Sequence, residues 1–415
     1  MPILAAVRDT CEGVARAGFR VVACVPQHLL LLLVAYNAVL ALWGWPQPAQ
    51  APPGRRARRF RVVIPAHNEG GVIEQALSDL TAQDYDRSMV TVEVLADRCT
   101  DDTAARARPY ASVVERDAGP DGKGAALSWY LQERPLADGE ALVVIDADNR
   151  VPSHLLTRFA DELDAGHQVL QAYLDVSNPD ASAVATASAL TYWAGNRMVQ
   201  LARRNLGWSA DLGGTGMCLT PDALRETAGF SGGSAEDQEL TARLALAGLR
   251  VIWLHDVRVR DEKPEEVGVA VRQRARWMAG KRQVARTHVP RLVRAGLARR
   301  RPADLDLALR LVQPGRSFMA LFTLGLAGAA GLRPRRWLLA WPVWAGATAV
   351  QFLLPPVFLA RDGVPGRYLL RYPLVTVVAA LWVPVRLLSS RSHVHWFHTP
   401  HGGLMAGQRP RADSG

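Results

Sequence analysis

Short apolar segments alternate with helical patterns between residues 61 and 145 of this 415-residue chain. Segments rich in Val, Ile and Leu occur at 61–64, 90–96, 113–114 and 141–145, and apolar residues at helical spacing follow at 72–80 and 124–127. Alternation between strand-like apolar runs and apolar residues at helical spacing is typical of β-α-β units, whose strands run parallel. The sequence therefore predicts an α/β fold: a doubly wound, mostly parallel sheet with helices on both faces.

Polar residues follow three of these segments at the points where the strands are expected to end. The first runs into Pro-Ala-His-Asn-Glu at 65–69, the second ends at Asp97, and the fourth ends at Asp146-Ala-Asp148. Open α/β sheets place their ligand sites at this edge. Two carboxylates one residue apart can converge on a divalent cation, which can neutralise a departing diphosphate. An isolated acidic pair is also common in solvated turns, so the neighbouring motifs decide the interpretation.

Two further motifs lie beyond the first four strands. Glu236 and Asp237 open one helical segment, and Gln273, Arg276 and Trp277 lie in another. The last three are spaced i, i+3 and i+4, so their side chains share one helix face. A guanidinium pairs well with phosphate oxygens, and a flat aromatic ring packs against the apolar face of a sugar. This combination suits a phosphorylated sugar.

These motifs, in this order, resemble those of the inverting family-2 glycosyltransferases, in particular the membrane-bound branch that includes cellulose, chitin and hyaluronan synthases. The similarity covers about residues 60 to 285 through the five motifs already named. The resemblance implies a GT-A fold, a nucleotide-sugar donor that is usually a UDP-sugar, and Mg²⁺ or Mn²⁺. It also implies a single displacement that inverts the anomeric carbon.

The resemblance implies a role for each motif. Asp97 would hydrogen-bond the nucleobase, Asp146 would face the donor and, with Asp148, hold the metal. Asp237 would be the general base, with Glu236 beside it. The donor-binding set comprises Pro65, Ala66, Asn68, Glu69, Asp97, Lys123, Asp146, Asp148 and Arg276. The acceptor-binding set comprises Gly214, Thr215, Gly216, Gln273 and Trp277. Lys123 joins the donor set because a glycine-rich turn precedes it, and glycines at 213–216 permit close approach by a sugar.

Ordinary structural roles compete with several of these assignments. Asp97 and Asp102 could be helix caps, and Glu236 with Asp237 could serve only to complement the positive end of a helix dipole. Trp277 could be a membrane-interface aromatic. The motif spacing favours the functional roles.

Other residue types narrow the possibilities. His67 and His255 each have no evident second His partner, so we expect neither to bind a metal. The four cysteines show no paired spacing, which predicts neither a disulfide framework nor a zinc site. The net charge of +10 could suggest nucleic acid, but the basic residues cluster beside apolar segments. That arrangement fits anionic membrane lipids better, so no nucleic-acid partner is expected.

Three regions are expected: an N-terminal membrane anchor with a Pro-rich linker (1–54), a cytoplasmic GT-A domain (55–290), and C-terminal interfacial and transmembrane helices with a basic tail (291–415). The stretch His28 to Trp45 has 18 residues and no formal charge, just enough to span a bilayer. The basic cluster at 55–61 predicts that the catalytic domain faces the cytosol. A cleaved signal peptide ending at Ala51 is the alternative, and Pro52 argues against it.

The C-terminal region contains apolar segments at 318–332, 337–360 and 372–385. If all three span, the tail ends outside. If the last lies in the interface, the tail stays near the active site, which we favour although it places Arg333, Arg335 and Arg336 outside. The element Trp396 to Thr399 is similar to a Trp-x-x-Thr element of the family and would line or gate the donor site.

The sequence therefore predicts a multi-pass membrane glycosyltransferase that moves a hexosyl or N-acetylhexosaminyl unit to a polysaccharide or glycan. Transfer of a single sugar to a lipid, as in the ceramide glucosyltransferase branch, is the main alternative. A non-catalytic membrane scaffold and a lipid-linked sugar donor are less favoured, because all the catalytic motifs are intact and Asp97 suits a nucleobase. The sequence leaves open whether an accessory subunit takes part.

Overall fold

The computed structural model describes residues 24–233, 235–333, 335 and 337–380. Its described part contains a mixed sheet of seven strands in the order β3-β2-β1-β4-β6-β5-β7. The strands are β1 (Arg59–Ala66), β2 (Val90–Asp97), β3 (Ser112–Arg116), β4 (Glu140–Val144), β5 (Val169–Val176), β6 (Met217–Leu219) and β7 (Val251–Asp261). Only β6 runs against its neighbours in this sheet, antiparallel to β4 and β5. The predicted doubly wound, mostly parallel sheet is confirmed.

Helices cover both faces of the sheet, as predicted. The first helix is α1 (Cys24–Leu42). The shorter helices that follow are α2 (Ile73–Thr81), α3 (Thr103–Ala107), α4 (Lys123–Glu133), α5 (Leu155–Asp164), α6 (Ala183–Gly195), α7 (Ala202–Asn205) and α8 (Pro221–Thr227). A π-helical segment, Asn196–Leu201, joins α6 to α7. The remaining helices are α9 (Glu236–Ala247), α10 (Val267–Ala298), α11 (Pro302–Val312), α12 (Arg316–Leu332), α13 (Trp341–Arg361) and α14 (Gly366–Leu370).

The apolar runs of the central strands are explained by burial on both sides. Val62 and Ile64 pack on the face that carries α2 and α5, while Val63 between them packs on the face that carries α4, α6 and α9. Alternate residues of a strand point to opposite faces. When helices cover both faces, every position is apolar and the strand loses its polar alternation.

The topology brings the predicted motifs to one edge of the sheet. β1 lies between β2 and β4, and Ala66 pairs with Ala96 in the parallel register of β1 and β2. The residues that follow β1, β2 and β4 therefore lie side by side. β6 runs the opposite way, so the segment before Met217 reaches the same edge. One reversed strand thus delivers the glycine-rich loop at 211–216 to the site.

Apolar helices flank this catalytic fold. Within the described residues, α1 and α13 are long and apolar enough to cross a membrane, and α11 with α12 forms a further candidate that is bent by 67°. The predicted segments 318–332 and 337–360 correspond to α12 and α13; α13 begins at Trp341, with Pro342 in its first turn. Residues 381–385 of the third predicted segment, and the Trp396 to Thr399 element, lie outside the described residues.

Buried polar contacts join the flanking helices to the catalytic fold. Tyr36 of α1 donates a hydrogen bond to Asp306 of α11, which also accepts two bonds from Arg203 of α7, at 2.7 and 2.9 Å. After α13, the Asp362 carboxylate contacts Arg197 and, at 3.0 Å, His255. The apolar helices and the sheet are therefore packed as one structure.

The structure adds two details to the predicted regions. The predicted boundary at residue 290 falls inside α10, which continues through Pro290 to Ala298. Three arginines of the basic cluster at 55–61 form ion pairs with the catalytic fold: Arg56 with Asp161, Arg58 with Asp164 and Arg61 with Glu140. These guanidinium groups hold the chain that enters β1.

Candidate active site

A cleft of about 640 Å³ opens at the edge of the sheet where these strands end. Its lining includes fourteen of the predicted site residues: Pro65, Ala66, Glu69, Asp97, Lys123, Asp146, Asp148, Gly214, Thr215, Glu236, Asp237, Gln273, Arg276 and Trp277. These residues come from segments spread over more than 200 positions of the chain. The fold therefore brings nearly all of the predicted motifs to one cavity.

Two predicted site residues do not line the cleft. Asn68 adopts a positive φ of 58°, and its side-chain oxygen accepts a hydrogen bond of 2.7 Å from the Thr100 amide. Gly216 has a φ of 61°, and a Cβ built there would lie 3.2 Å from Val259 and 3.3 Å from Ala172. Asn68 thus joins two loops, and Gly216 permits close packing at the start of β6.

Lys123 connects the first acidic motif with the glycine-rich loop. Its ammonium group contacts the Asp146 carboxylate and donates a hydrogen bond of 2.8 Å to the Gly214 carbonyl. Burial lowers the pKa of Lys123, but the surrounding carboxylates of Asp146, Glu236 and Asp237 raise it more, so its net shift is upward. The lysine is therefore a fixed positive charge between the two acidic motifs.

Hydrogen bonds to buried side chains hold the glycine-rich loop in place. The Thr215 hydroxyl accepts a hydrogen bond of 2.9 Å from the Asp146 amide and donates one to Asn149. The Gln171 amide, fully buried in β5, donates to the Thr215 carbonyl and accepts from the Gly213 amide, both at 2.8 Å. Gln171 and Asn149 were not singled out from the sequence, because an isolated polar residue in or after a strand carries no local signal of its partner.

Asp237 lies in the first turn of α9 and faces the cleft. Its Oδ1 atom accepts a hydrogen bond of 2.7 Å from the Gln238 amide. Burial and the neighbouring Glu236 raise the pKa of Asp237 to about 7, against the opposing effects of that hydrogen bond and of Lys123. A carboxylate with a pKa near neutrality is well matched to accepting a proton. The location also complements the helix dipole, so both expected roles are compatible with the geometry.

Gly124 allows α9 to lie close to α4. A Cβ built at Gly124 would meet the Ser231 carbonyl oxygen and would lie 2.8 Å from the Glu236 Cβ. Because no larger residue fits without movement, the glycine after Lys123 sets the distance between the lysine and the second acidic motif.

Asp97 is held by two arginines at the end of β2. Arg116 donates to it at 2.7 Å and Arg98 at 3.0 and 3.1 Å, while the Asp97 carbonyl contacts His67 Nδ1 at 2.6 Å. The N-cap residue of the following helix, α3, is Asp102, whose side chain makes no capping hydrogen bond, and the Oδ1 atom of Asp101 accepts from the Thr103 amide at 3.0 Å. Asp97 is therefore not the cap that the sequence left open, and the nucleobase contact stays a prediction.

The long helix α10 forms one wall of the cleft. Gln273, Arg276, Trp277 and Lys281 all line it, as expected for residues that share a helix face. Lys281 continues this face by one turn and was not identified from the sequence. Its i+4 spacing from Trp277 is the signal that could have found it.

The end of β7 supplies further residues that were not identified from the sequence. Asp261, Glu262 and Lys263 line the cleft, and the Lys263 ammonium lies 3.8 Å from the ring centroid of Tyr192. Burial raises the pKa of Asp261, and the negative charge of Asp146 raises it further, although the nearby Lys263 lowers it. Polar residues after a buried strand were the signal used for the other motifs, and the same rule applied to β7 would have found these three.

The first acidic motif fits a divalent cation. Asp146 and Asp148 project from the end of β4 into an open cleft, and Asn149 donates a 3.2 Å hydrogen bond that orients Asp148. Across the described ranges, no group of three or more His, Cys, Asp or Glu side chains forms a metal cage. Mg²⁺ is commonly held by one or two carboxylates together with substrate phosphates and water. The donor set present here suits that mode.

Comparisons with known proteins agree with this architecture. A curated relative from Nostoc sp., a beta-monoglucosyldiacylglycerol synthase, is 27% identical over 239 residues, which cover 53% of this chain and 48% of the relative. The probable glycosyltransferase YdaM of Bacillus subtilis is 25% identical over 239 residues, covering 54% of this chain and 56% of the relative. This chain thus spans about half the length of these relatives.

A solved structure has a similar fold. The mannosyltransferase PcManGT from Pyrobaculum calidifontis, in complex with GDP-Man and Mn²⁺, superposes with a TM-score of 0.56 at 21% identity, covering 87% of this chain and 98% of that one. The family model described as glycosyltransferase like family 2 matches residues 57–280, more than half of the chain. This chain therefore belongs to the family-2-like glycosyltransferases and has a GT-A fold.

Proposed function

We propose that the protein transfers a sugar from a nucleotide-sugar to an acceptor hydroxyl at the cytoplasmic face of a membrane, with inversion at the anomeric carbon. One observation carries this proposal: the two acidic motifs line the same cleft, and Lys123 lies between them. One motif can hold a metal and a diphosphate while the other accepts a proton. A single displacement needs these two functions on either side of the sugar.

The donor is proposed to occupy the part of the cleft formed by the ends of β1, β2 and β4. The proposed donor contacts there are Pro65, Ala66, Glu69, Asp97, Lys123, Asp146 and Asp148, joined from α10 by Arg276. A UDP-sugar is the expected donor. Asp146 and Asp148 would hold Mg²⁺ or Mn²⁺, which when bound supplies positive charge to the departing diphosphate. Lys123 and Arg276 add positive charge from the protein.

Asp237 is proposed as the general base. It would accept the proton of the acceptor hydroxyl while that oxygen forms a bond to the anomeric carbon and the bond to the nucleoside diphosphate breaks. No covalent sugar–enzyme intermediate is needed. Burial and, after it, the charge of Glu236 keep the pKa of Asp237 high. Gln273 and Trp277 are proposed to contact the acceptor from α10.

Two acceptor classes follow from this proposal. The first expected from the sequence is a polysaccharide or glycan, as in the synthase branch. A lipid acceptor is favoured by the named activity of the Nostoc sp. relative, a glucosyldiacylglycerol synthase, and by the apolar helices α1 and α13. We further propose that the protein is a multi-pass membrane protein in contact with lipids, with α1 and α13 as its candidate spans. An accessory subunit is compatible with either acceptor.

The proposal is tested by measuring release of the nucleoside diphosphate. Detergent-purified protein is incubated with a panel of UDP-sugars and GDP-mannose, with Mg²⁺ or Mn²⁺ and a membrane lipid extract. Release with one donor, abolished by EDTA and by Asp237→Asn, is expected. Glu239→Gln is the matched control, because Glu239 lies on the same helix but not in the cleft lining and bonds Ser231 at 2.7 Å. Equal loss in both variants would contradict the role of Asp237.

A further inference from the structure

The cleft extends beyond Asp237 to a second wall that no motif explains. We call this wall the acceptor end and define it by Val199 and Gln200 of the π-helical segment and Leu307, Arg310 and Leu311 of α11. Short π-helical turns are rare and often occur at functional sites. The acceptor end lies in the same cavity as the proposed base, and none of its residues belongs to the proposed donor set.

The acceptor end has a polar part that is fixed in place. Gln200 and Asp211 exchange two hydrogen bonds, at 3.0 Å from the Asp211 amide and at 3.4 Å from the Gln200 side chain. Arg310 forms an ion pair with the same Asp211. A second contact at 3.3 Å joins Arg310 to Asp306. These contacts hold an amide, a carboxylate and a guanidinium together in the lining of the cleft, where they can bind hydroxyl or ester oxygens.

The acceptor end also has an apolar part. Leu307 and Leu311 are separated by one helical turn, so their side chains lie on the same face of α11. Both line the cleft with only a small exposed fraction, 2% and 7%, because they also pack against apolar residues of α9 and α10. Val199 lines the cleft from the opposite element. A wall that sets fixed polar groups beside aliphatic side chains suits an amphiphile, because each part of such a ligand finds a matching contact. Trp277, the aromatic residue proposed to pack on a sugar, lies on α10 and not at the acceptor end.

The helix that carries this wall leads directly into the apolar helices. α11 continues through a bend of 67° into α12, and the two together are a candidate for a broken membrane span. α1 contacts α11 through Tyr36 to Asp306, and it contacts the residue after α11 through Asn37 to Gln313 at 3.2 Å. The acceptor end therefore adjoins the part of the chain that is suited to lie in a bilayer.

We infer that the acceptor end is a binding site for a membrane lipid with a hydroxyl-bearing headgroup. The headgroup lies beside Gln200, Asp211 and Arg310. The first methylenes of its chains contact Leu307 and Leu311. The headgroup oxygen forms the new bond to the anomeric carbon, its proton passes to Asp237, and the nucleoside diphosphate leaves with the electrons of the broken bond. This inference rests on the proposed function and adds the acceptor class and its site.

The test measures sugar transfer into an organic-soluble product. Full-length protein in detergent micelles receives the radiolabelled donor found in the panel, with either dioctanoylglycerol or a total bacterial lipid extract. Leu311→Trp fills the apolar part of the acceptor end, whereas Val312→Trp places the same ring at the next position, where the side chain is 54% exposed. The larger ring would occupy the space proposed for the lipid chains, so we expect Leu311→Trp to reduce lipid labelling about tenfold or more. Val312→Trp should stay within about twofold of the parent chain, since it enters no packed site.

Two further readouts separate failure of this inference from failure of the proposed function. Nucleotide binding and the slow transfer of sugar to water depend on the donor part of the cleft, so both variants should retain them. If Leu311→Trp does not fold by these criteria, Leu311→Ala replaces it and is expected to raise the KM for dioctanoylglycerol several-fold while the donor KM is unchanged.

Each remaining outcome contradicts the inference in a recognisable way. Equal lipid labelling in the two Trp variants would show that Leu311 is not part of the acceptor site. Label that enters only a water-soluble polymer would assign a glycan acceptor. Transfer to water without any lipid labelling would overturn the lipid site but leave the proposed function standing. No donor cleavage at all, in a chain that still binds nucleotide, would overturn both.

Discussion

Asp237→Asn is expected to slow transfer strongly and, at the same time, to stabilise the folded protein above pH 7. The reason is the pKa of Asp237, which rises in the folded chain from its ordinary value of 3.8 to about 7. Burial and the negative charge of Glu236 make the ionised form unfavourable. An amide of the same shape carries no charge and avoids this cost. Activity should fall by about 10² to 10⁴-fold, the range typical of a lost general base.

The direction of the pH dependence follows from the two pKa values. Below about pH 4 the carboxyl is protonated in both the folded and the unfolded chain, so it favours neither. Between about pH 4 and pH 7 the unfolded chain loses its proton first, so unfolding becomes easier as the pH rises. The full penalty is present above pH 7. A shift of this size corresponds to about 4 kcal/mol as an upper bound, at 1.36 kcal/mol per pKa unit. Solvent in the open cleft reduces this to about 1–2 kcal/mol.

The measurement is the apparent Tm of metal-free protein in detergent, followed by tryptophan fluorescence from pH 5 to pH 8. The Tm of Asp237→Asn should exceed that of the parent chain by a few degrees at pH 8, and the difference should shrink as the pH falls. Glu239→Gln, on the same helix, is compared only between pH 7 and pH 8, because Glu239 lies 3.8 Å from His288, which can gain a proton at lower pH. In that range Glu239→Gln should not raise the Tm. Parallel Tm curves for Asp237→Asn and the parent chain would refute the electrostatic reasoning.

Three other substitutions give separate tests. Asp148→Asn should raise the Mn²⁺ concentration needed for half-maximal activity by about tenfold or more while leaving the Tm of the metal-free protein unchanged, as metal titration and thermal melts would reveal. Arg203→Met should destabilise the chain by about 3–5 kcal/mol, because it leaves the buried Asp306 carboxylate without its bidentate partner; urea unfolding measures this, and a change below about 1 kcal/mol would contradict it. Gly216→Ala should lower the Tm more than Gly229→Ala, because both glycines have a positive φ but only Gly216 has neighbours within 4 Å of an added Cβ; equal shifts would mean that backbone strain alone matters.

Much of the catalytic fold could be predicted from local sequence patterns. Parallel strands end at a shared edge, so the sequence alone indicates that the polar residues at 65–69, Asp97 and Asp146-Ala-Asp148 meet there. Gln273, Arg276 and Trp277 share a face because helical geometry alone fixes their relative directions. The apolar stretch at 28–45 likewise predicts most of α1. In each case the information lies within one element or in a general rule for the order of elements.

Contacts between residues far apart in the sequence determine the other features of the site, and local patterns do not predict them. Nothing near Asp97 in the sequence indicates that Arg116 would bond its carboxylate, and nothing near Arg310 indicates Asp211, almost a hundred residues earlier. Asn68 and Gly216 carried the right residue types for a site, yet their backbone conformations and neighbours give them structural roles.

The sequence by itself determined the alternating elements, the family motifs and the chemistry available at the strand ends, because these depend on periodicity and on residue type. The tertiary structure alone decided which charges face one another, how α11 closes the far side of the cleft, and that the reversed strand β6 delivers its loop to the site. The physical reason is that pairing between distant segments is set by the packing of whole elements. That packing depends on many small contacts summed over the fold, and no single motif encodes it.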